Sequence, residues 1–309
     1  MFNDALKEVT GLLDRRFLLN VFFPCLVFCG LLMGVGVIGA GEDLLKIAAA
    51  WSKQEAGVQI LQVVGFLSII TVFSGIIDSQ LPAIIRFYEG YSLLPRLATT
   101  GKDFHKKRLQ QLGKEEAKYY GYLQSYYPSH YQPKQVMPTQ FGNILKNSER
   151  YPSDRYGLNA VVIWSRLYHL FPDRFIQIIA EAKGSVDFML VISTLSGIFA
   201  LISGGYLLIV KASGWLFLLC FWGGLAVAWL AYRGALASAV LYAQQIKTGF
   251  DLYRHELFKQ MHLKLPHNLK DEKEQWKKVD QFLYQNLPLL PDYTSAEAAS
   301  SDNQKNEKP

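Results

Sequence analysis

Residues 17–41 read FLLNVFFPCLVFCGLLMGVGVIGAG, a run without one charged side chain. An α-helix rises 1.5 Å per residue, so about 20 apolar residues cross the hydrocarbon core of a bilayer. A helix at the surface of a soluble domain carries charge along the face it turns to water, and this run has no such face. Three further uncharged runs follow at 56–77, 188–210 and 212–232. Together they predict an all-α integral membrane protein with four transmembrane helices. Between the second and third lies a helical insertion, and after the fourth a long helical extension. The spans are expected at 17–41, 56–77, 186–210 and 215–233.

The composition agrees with this. Half of the 309 residues are apolar, 19% are charged, and the net charge is +6, a membrane-protein balance. Cys25, Cys29 and Cys220 all lie inside apolar runs. That leaves no disulfide framework and suits a reducing compartment on the side of the soluble part. The first run exceeds the roughly 7–15 residues of a signal-peptide core, so it is expected to stay as an uncleaved first helix.

Orientation follows from the basic residues. Lys and Arg crowd the segments before the first run, between the second and third, and after the fourth, whereas the two opposite loops hold only Lys46, Lys53 and Lys211. The positive-inside rule then places both termini and the segment between the second and third runs in the cytoplasm. The expected segments are a cytoplasmic start at 1–16, an outer loop at 42–55, a cytoplasmic helical domain at 78–185, an outer turn at 211–214, a helical stalk and C-terminal helix at 234–290, and a disordered tail at 291–309. The four-residue turn Lys211–Gly214 makes the third and fourth spans an antiparallel hairpin. Asn268 with Asp271 three positions later reads as a helix start, a variant of the capping box.

Several constellations invite a chemical reading. Gly34-Val35-Gly36-Val37-Ile38-Gly39 matches the dinucleotide string G-x-G-x-x-G, but those glycines belong at a strand-to-helix turn, and here they sit inside a span. Close helix packing is the better reading, with Gly30 and Gly34 as one pair and Ser196, Ala200, Gly204, Gly224 and Ala228 repeating the small-residue spacing in the last two spans. Such faces suit a homo-oligomer. No ionisable residue lies deep in a span, which disfavours a proton-coupled carrier. His105, His130, His169, His255, His262 and His267 show no metal-ligand spacing. No nucleophile, phosphate-loop or metalloprotease motif is present, so no cofactor is expected and an enzyme acting at the membrane interface is the least favoured reading.

Three surfaces remain. Asp78, Pro82, Arg86 and Glu89 follow the second span, and Pro82 interrupts its helix there, so a coupling hinge is one reading and an interfacial helix end the other. Lys102, Lys106, Lys107, Arg108, Lys114 and Lys118 suit anionic lipid headgroups at about 1 kcal/mol per base; nucleic acid is disfavoured. Tyr151, Arg155, Tyr156, Trp164 and Arg166 are residue types that dominate interface hot spots. They are expected to dock a cytoplasmic protein partner, or to pack inside their own domain.

The strings Phe141–Lys146, Ser148–Pro152, Arg155–Ala160 and Trp164–Leu167, with Glu89-Gly90-Tyr91, Phe221–Ala226, Ala231-Tyr232-Arg233 and Phe250–Arg254, carry a family likeness. Over about residues 15–285 the chain resembles a group of bacterial four-span membrane proteins that has no established activity. The resemblance implies the architecture and no catalytic residues. Some members keep company with prokaryotic defence genes, which would suit a pore-forming or membrane-disrupting effector.

Overall fold

The computed structural model describes residues 15–128 and 133–285, and within them the chain is helical with no strand. Eleven helices are described: α1 Arg15–Gly39, α2 Leu44–Ser52, α3 Ala56–Ser79, α4 Leu81–Glu89, α5 Pro95–Gly113, α6 Glu116–Tyr126, α7 Gln140–Tyr156, α8 Ala160–Tyr168, α9 Asp173–Ile209, α10 Gly214–Gln260 and α11 Leu269–Gln285. Four of them, α1, α3, α9 and α10, are long and apolar enough to cross a membrane. The chain divides into two compact units, one from residues up to Ser92 with Lys183–Ser238, the other from Leu93–Ala182 with residues from Ala239 on. Of the three unit boundaries, one falls between α4 and α5 and the other two fall within α9 and α10. The segments 1–14 and 291–309 and His130 lie outside the described residues.

In the first unit, α1 opens with a π turn over Leu18–Phe22, where the Phe23 N–H bonds the Leu18 carbonyl five residues back. Pro24 explains it. Proline has no N–H to return to Asn20, so the hydrogen-bond ladder must change register there. The core of the unit is two small apolar clusters, one of Val21, Cys25, Phe28, Ile70, Leu81, Val191 and Leu195 and one of Val35, Leu207 and Cys220. Most other apolar side chains point outward: only 11% of the most apolar stretch of α3 is buried. In water such a surface drives aggregation; in hydrocarbon it costs nothing, which is the physical case for a membrane here.

α3 stops at Ser79, and after Gln80 the chain starts again as α4 with Pro82 in its first turn, where a missing N–H does no harm. Leu81 is buried in the apolar cluster, while Asp78 and Arg86 are exposed. Tyr88 ties α4 down: its hydroxyl donates to Ser193 Oγ at 2.8 Å and its ring stacks on Tyr232 at 5.7 Å. Gly90, at φ +94°, ends the helix in the left-handed region that glycine enters without strain.

The second unit has a core of buried apolar side chains. Leu158, Ile163 and Leu167 from α8 and its approach meet Phe250, Leu257 and Phe258 from α10 and Trp276 and Val279 from α11. The Phe258 and Trp276 rings lie 4.2 Å apart. Each buried Leu or Phe contributes about 1.5–3 kcal/mol against exposure. A second cluster gathers Leu109, Leu123, Tyr127 and Val136, with Tyr119, Tyr122 and Tyr126 packed on it. α11 begins with reciprocal capping: Asn268 Oδ1 accepts from the Asp271 N–H at 3.0 Å, and Asp271 Oδ2 accepts from the His267 N–H at 2.9 Å.

Candidate functional site

A cleft of about 370 Å³ opens in the second unit, lined by side chains of α5, α6, α7 and α10. α7 is the element that positions most of it. Its start is fixed by the Thr139 hydroxyl, which accepts from the Gly142 N–H at 2.9 Å, and by Asn143, whose amide brackets Met137 through both its N–H (2.8 Å) and its carbonyl (3.0 Å). Its end is fixed by Gly157 at φ +75°, where an added Cβ would stand 3.2 Å from the Lys273 backbone. Between these ends Asn147, Tyr151, Asp154 and Arg155 project into the cleft lining.

Two donors converge on one backbone oxygen at the end of α6. Asn147 Nδ2 donates to the Gln124 carbonyl at 2.6 Å, and Lys247 Nζ, from α10, donates to the same oxygen at 3.0 Å. Lys247 also lies 5.4 Å from the centre of the Tyr151 ring. Burial pushes its ammonium down to about 8, a shift that Asp251 partly offsets. Among the described residues no carboxylate forms an ion pair with Lys247. Arg155 donates to Tyr151 Oη at 3.1 Å and is otherwise exposed, its guanidinium 5.6 Å from the same ring.

Behind the cleft stands a polar network. Asp251 accepts from Tyr151 Oη at 2.9 Å and from Tyr156 Oη at 2.7 Å. Burial, and then the bonds to Asp251, raise both phenols above the usual range. Arg254 covers the Tyr156 ring at 4.0 Å, donates to the Asp251 carbonyl, and pairs with Glu272 at 2.7 Å. Glu272, 4% exposed, also accepts from the Trp276 indole at 3.3 Å. A buried carboxylate held by a guanidinium and an indole is a satisfied group, so these residues hold the fold.

The expected docking residues therefore divide. Tyr156 is 6% exposed, Trp164 packs on the core between Phe171 and Phe250, and Tyr151 is half-buried. Their ring surface is used inside the unit. Arg155 and Arg166 are exposed, as is Val161, 71% exposed on the same helix as Arg166. The basic residues of α5 and α6 face outward in part: Lys102, Lys107, Lys114 and Lys118 are exposed, Lys106 and Arg108 half-buried. Tyr119, Tyr122, Tyr126 and Tyr127 form the small core beside them. There the His105 Nδ1 and Tyr127 hydroxyl lie 2.9 Å apart. Burial, then the Arg108 charge, lowers the His105 imidazole to about 4, while burial raises the Tyr127 phenol to about 12.

The small residues of the first unit divide too. An added Cβ on Gly204 would meet Phe221 at 2.7 Å, and one on Gly224 would meet Ala200 at 2.9 Å. The Ala228 carbonyl accepts from Ser193 Oγ at 2.9 Å. Those positions make the close approach of α9 to α10. Gly30 and Gly34 touch nothing within 4 Å of a built Cβ. With Ser196 they line an almost wholly apolar groove of about 620 Å³ among α1, α9 and α10.

Sequence reasoning did not find Lys247 or Asp251 as partners of the α7 residues. The only sequence hint was an isolated lysine and aspartate one turn apart on a helix otherwise rich in apolar residues. Among the described residues no group of three or more His, Cys, Asp or Glu could hold a metal ion. No family model matches the chain, and no curated protein or solved structure was found to be similar to it.

Proposed function

We propose that the chain is a non-enzymatic, multi-pass protein of the bacterial inner membrane, with both termini and the second unit in the cytoplasm. The second unit docks a cytoplasmic protein and either anchors it or relays its arrival to the membrane. The observation that carries the reading is the make-up of α10. One uninterrupted helix supplies Gly224 and Ala228 to the apolar unit and Lys247, Asp251 and Arg254 to the polar one. The break at Gln80 and Pro82 supports a coupling role for Asp78, Pro82, Arg86 and Glu89. Exposed Val161, Ser165 and Arg166 on α8, with Arg155 nearby in sequence on α7, offer the docking face.

Two experiments test this. A single reactive cysteine at position 53 should label with an impermeant maleimide in intact cells, and one at position 114 only after lysis; the reverse pattern removes the cytoplasmic assignment. A photocrosslinking residue at position 166 in the full-length chain should give one discrete protein adduct in native membranes. Absence of any adduct in cells where the chain is inserted counts against docking.

The open Gly30 and Gly34 face supports a second reading, an oligomeric pore or membrane-disrupting effector, since a helix of a second copy could seat there. Depolarisation on induction, read with a voltage-sensitive dye and abolished by Gly34→Leu, is its expected signature. A strict monomer in native-like lipid ends it.

A further inference from the structure

The cleft of the second unit has a chemistry that docking at α8 does not use. Its volume, about 370 Å³, falls at the small-ligand end of binding pockets. Two cations, Lys247 and Arg155, and two carboxylates, Asp154 and Glu116, line it, and both cations keep unused donors: Lys247 spends one N–H on the Gln124 carbonyl, Arg155 one on Tyr151. The Lys247 ammonium is partly desolvated, is offset only in part by Asp251, and forms no ion pair among the described residues; that is costly, and an anion entering the cleft would offset the cost. Arg155 can offer the two-pronged donor geometry that suits phosphate oxygens.

The lining also holds acceptors and a ring. Among the described residues the Asp154 carboxylate meets Arg150 alone, at a long 3.5 Å, which leaves acceptor capacity on it. Tyr120 is exposed, with its hydroxyl held by Gln124 Nε2 at 2.8 Å, so its ring is fixed at one edge and open on its surface. A simple inorganic anion would use the cations and leave the carboxylate and the ring idle. A ligand with a phosphate, hydroxyl donors and a flat ring would use all of them.

We propose that this cleft is a binding site for a nucleoside monophosphate or a phosphate ester of the same size and parts, with Lys247 and Arg155 on the phosphate, Asp154 on sugar or base donors, and Tyr120 against the ring. The site stands whether or not α8 docks a protein.

The test is calorimetric titration of the full-length chain in lipid nanodiscs with AMP, alongside inorganic phosphate and adenosine as separate arms. The expected result is saturable AMP binding, with both fragments weaker by about tenfold or more. Arg155→Gln and Lys247→Met should each weaken AMP by ~10-fold or more, the cost of one charged hydrogen bond, and Lys259→Gln, an exposed site on the same helix, should leave it unchanged. Because Lys247→Met removes a half-buried side chain, Lys247→Arg serves as the folded comparison and should retain part of the affinity. Absence of saturable AMP binding up to about 10 mM overturns the proposal, as does AMP binding that Arg155→Gln leaves intact. Phosphate binding as tightly as AMP overturns the ligand class, and so does adenosine binding as tightly.

Discussion

The phenol of Tyr156 donates a 2.7 Å hydrogen bond to Asp251, a residue 95 positions later in the chain. Tyr151 bonds the other oxygen of the same carboxylate, so one aspartate on α10 orders two turns of α7. Removing one donor leaves the other in place. Tyr156→Phe should cost about 1 kcal/mol, whereas Asp251→Leu strands two phenols and should cost about 2 kcal/mol or more. Denaturant unfolding monitored by tyrosine and tryptophan fluorescence checks the pair. A double-mutant cycle should return a coupling near 1 kcal/mol.

The Arg254 and Glu272 pair should show the opposite sensitivity, because neither charge can be left alone. Their side chains are 16% and 6% exposed. Arg254→Ala leaves Glu272 buried with the indole of Trp276 and the His255 ring, each 3.3 Å away, and without its guanidinium a loss of about 3–5 kcal/mol is expected. Arg254→Met combined with Glu272→Leu should recover a good part of that loss. A double variant no more stable than the single one would show that packing on Tyr156, and not charge, is what Arg254 supplies.

Acid should weaken the second unit through His105. Its folded value, about 4, lies below its ordinary 6.5. The unfolded chain therefore binds a proton that the folded chain refuses between those two values, and stability rises with pH across that window. The contribution is complete above pH 6.5, is lost as pH falls toward 4, and amounts to about 3 kcal/mol at most. Thermal unfolding from pH 7.5 to 4.5 should show this slope, and His105→Gln should flatten it.

Glycines of the first unit should answer differently to one substitution. Gly224→Leu drives a side chain into Ala200, whose Cα would stand 3.2 Å from the new Cβ, and overpacking of about 1–3 kcal/mol is expected. Gly34→Leu enters open space and should leave the melting temperature of the isolated chain nearly unchanged. Melting in a fixed detergent distinguishes them; equal losses would mean that the groove is closed in solution.

Much of the fold was open to sequence reading, for reasons that differ by element. The four apolar runs need only composition and length, and four helices long and apolar enough to span a membrane are present. The start of α11 was visible because capping is local: Asn268 and Asp271 are three residues apart and bond as such. The π turn in α1 was equally local, in that Pro24 announces a missing donor, but it needs the ladder to be followed residue by residue. The cleft was not visible. Lys247, Asn147 and Gln124 meet at one carbonyl from three helices far apart in the chain, and no spacing rule links them. For the same reason the aromatic residues around Trp164 could be read either as a docking surface or as a core. Hot-spot composition and core composition are alike, and only the partners across α8 and α10 decide between them.

The groove beside Gly30 and Gly34 has a practical consequence for anyone who purifies this protein. A trough of about 620 Å³ with almost no polar lining offers water few hydrogen-bond partners, so in a detergent-solubilised monomer surfactant tails are expected to fill it. The surfactant is then a component of the folded interior of the first unit. Tail length and branching should set its melting point as a core side chain does elsewhere.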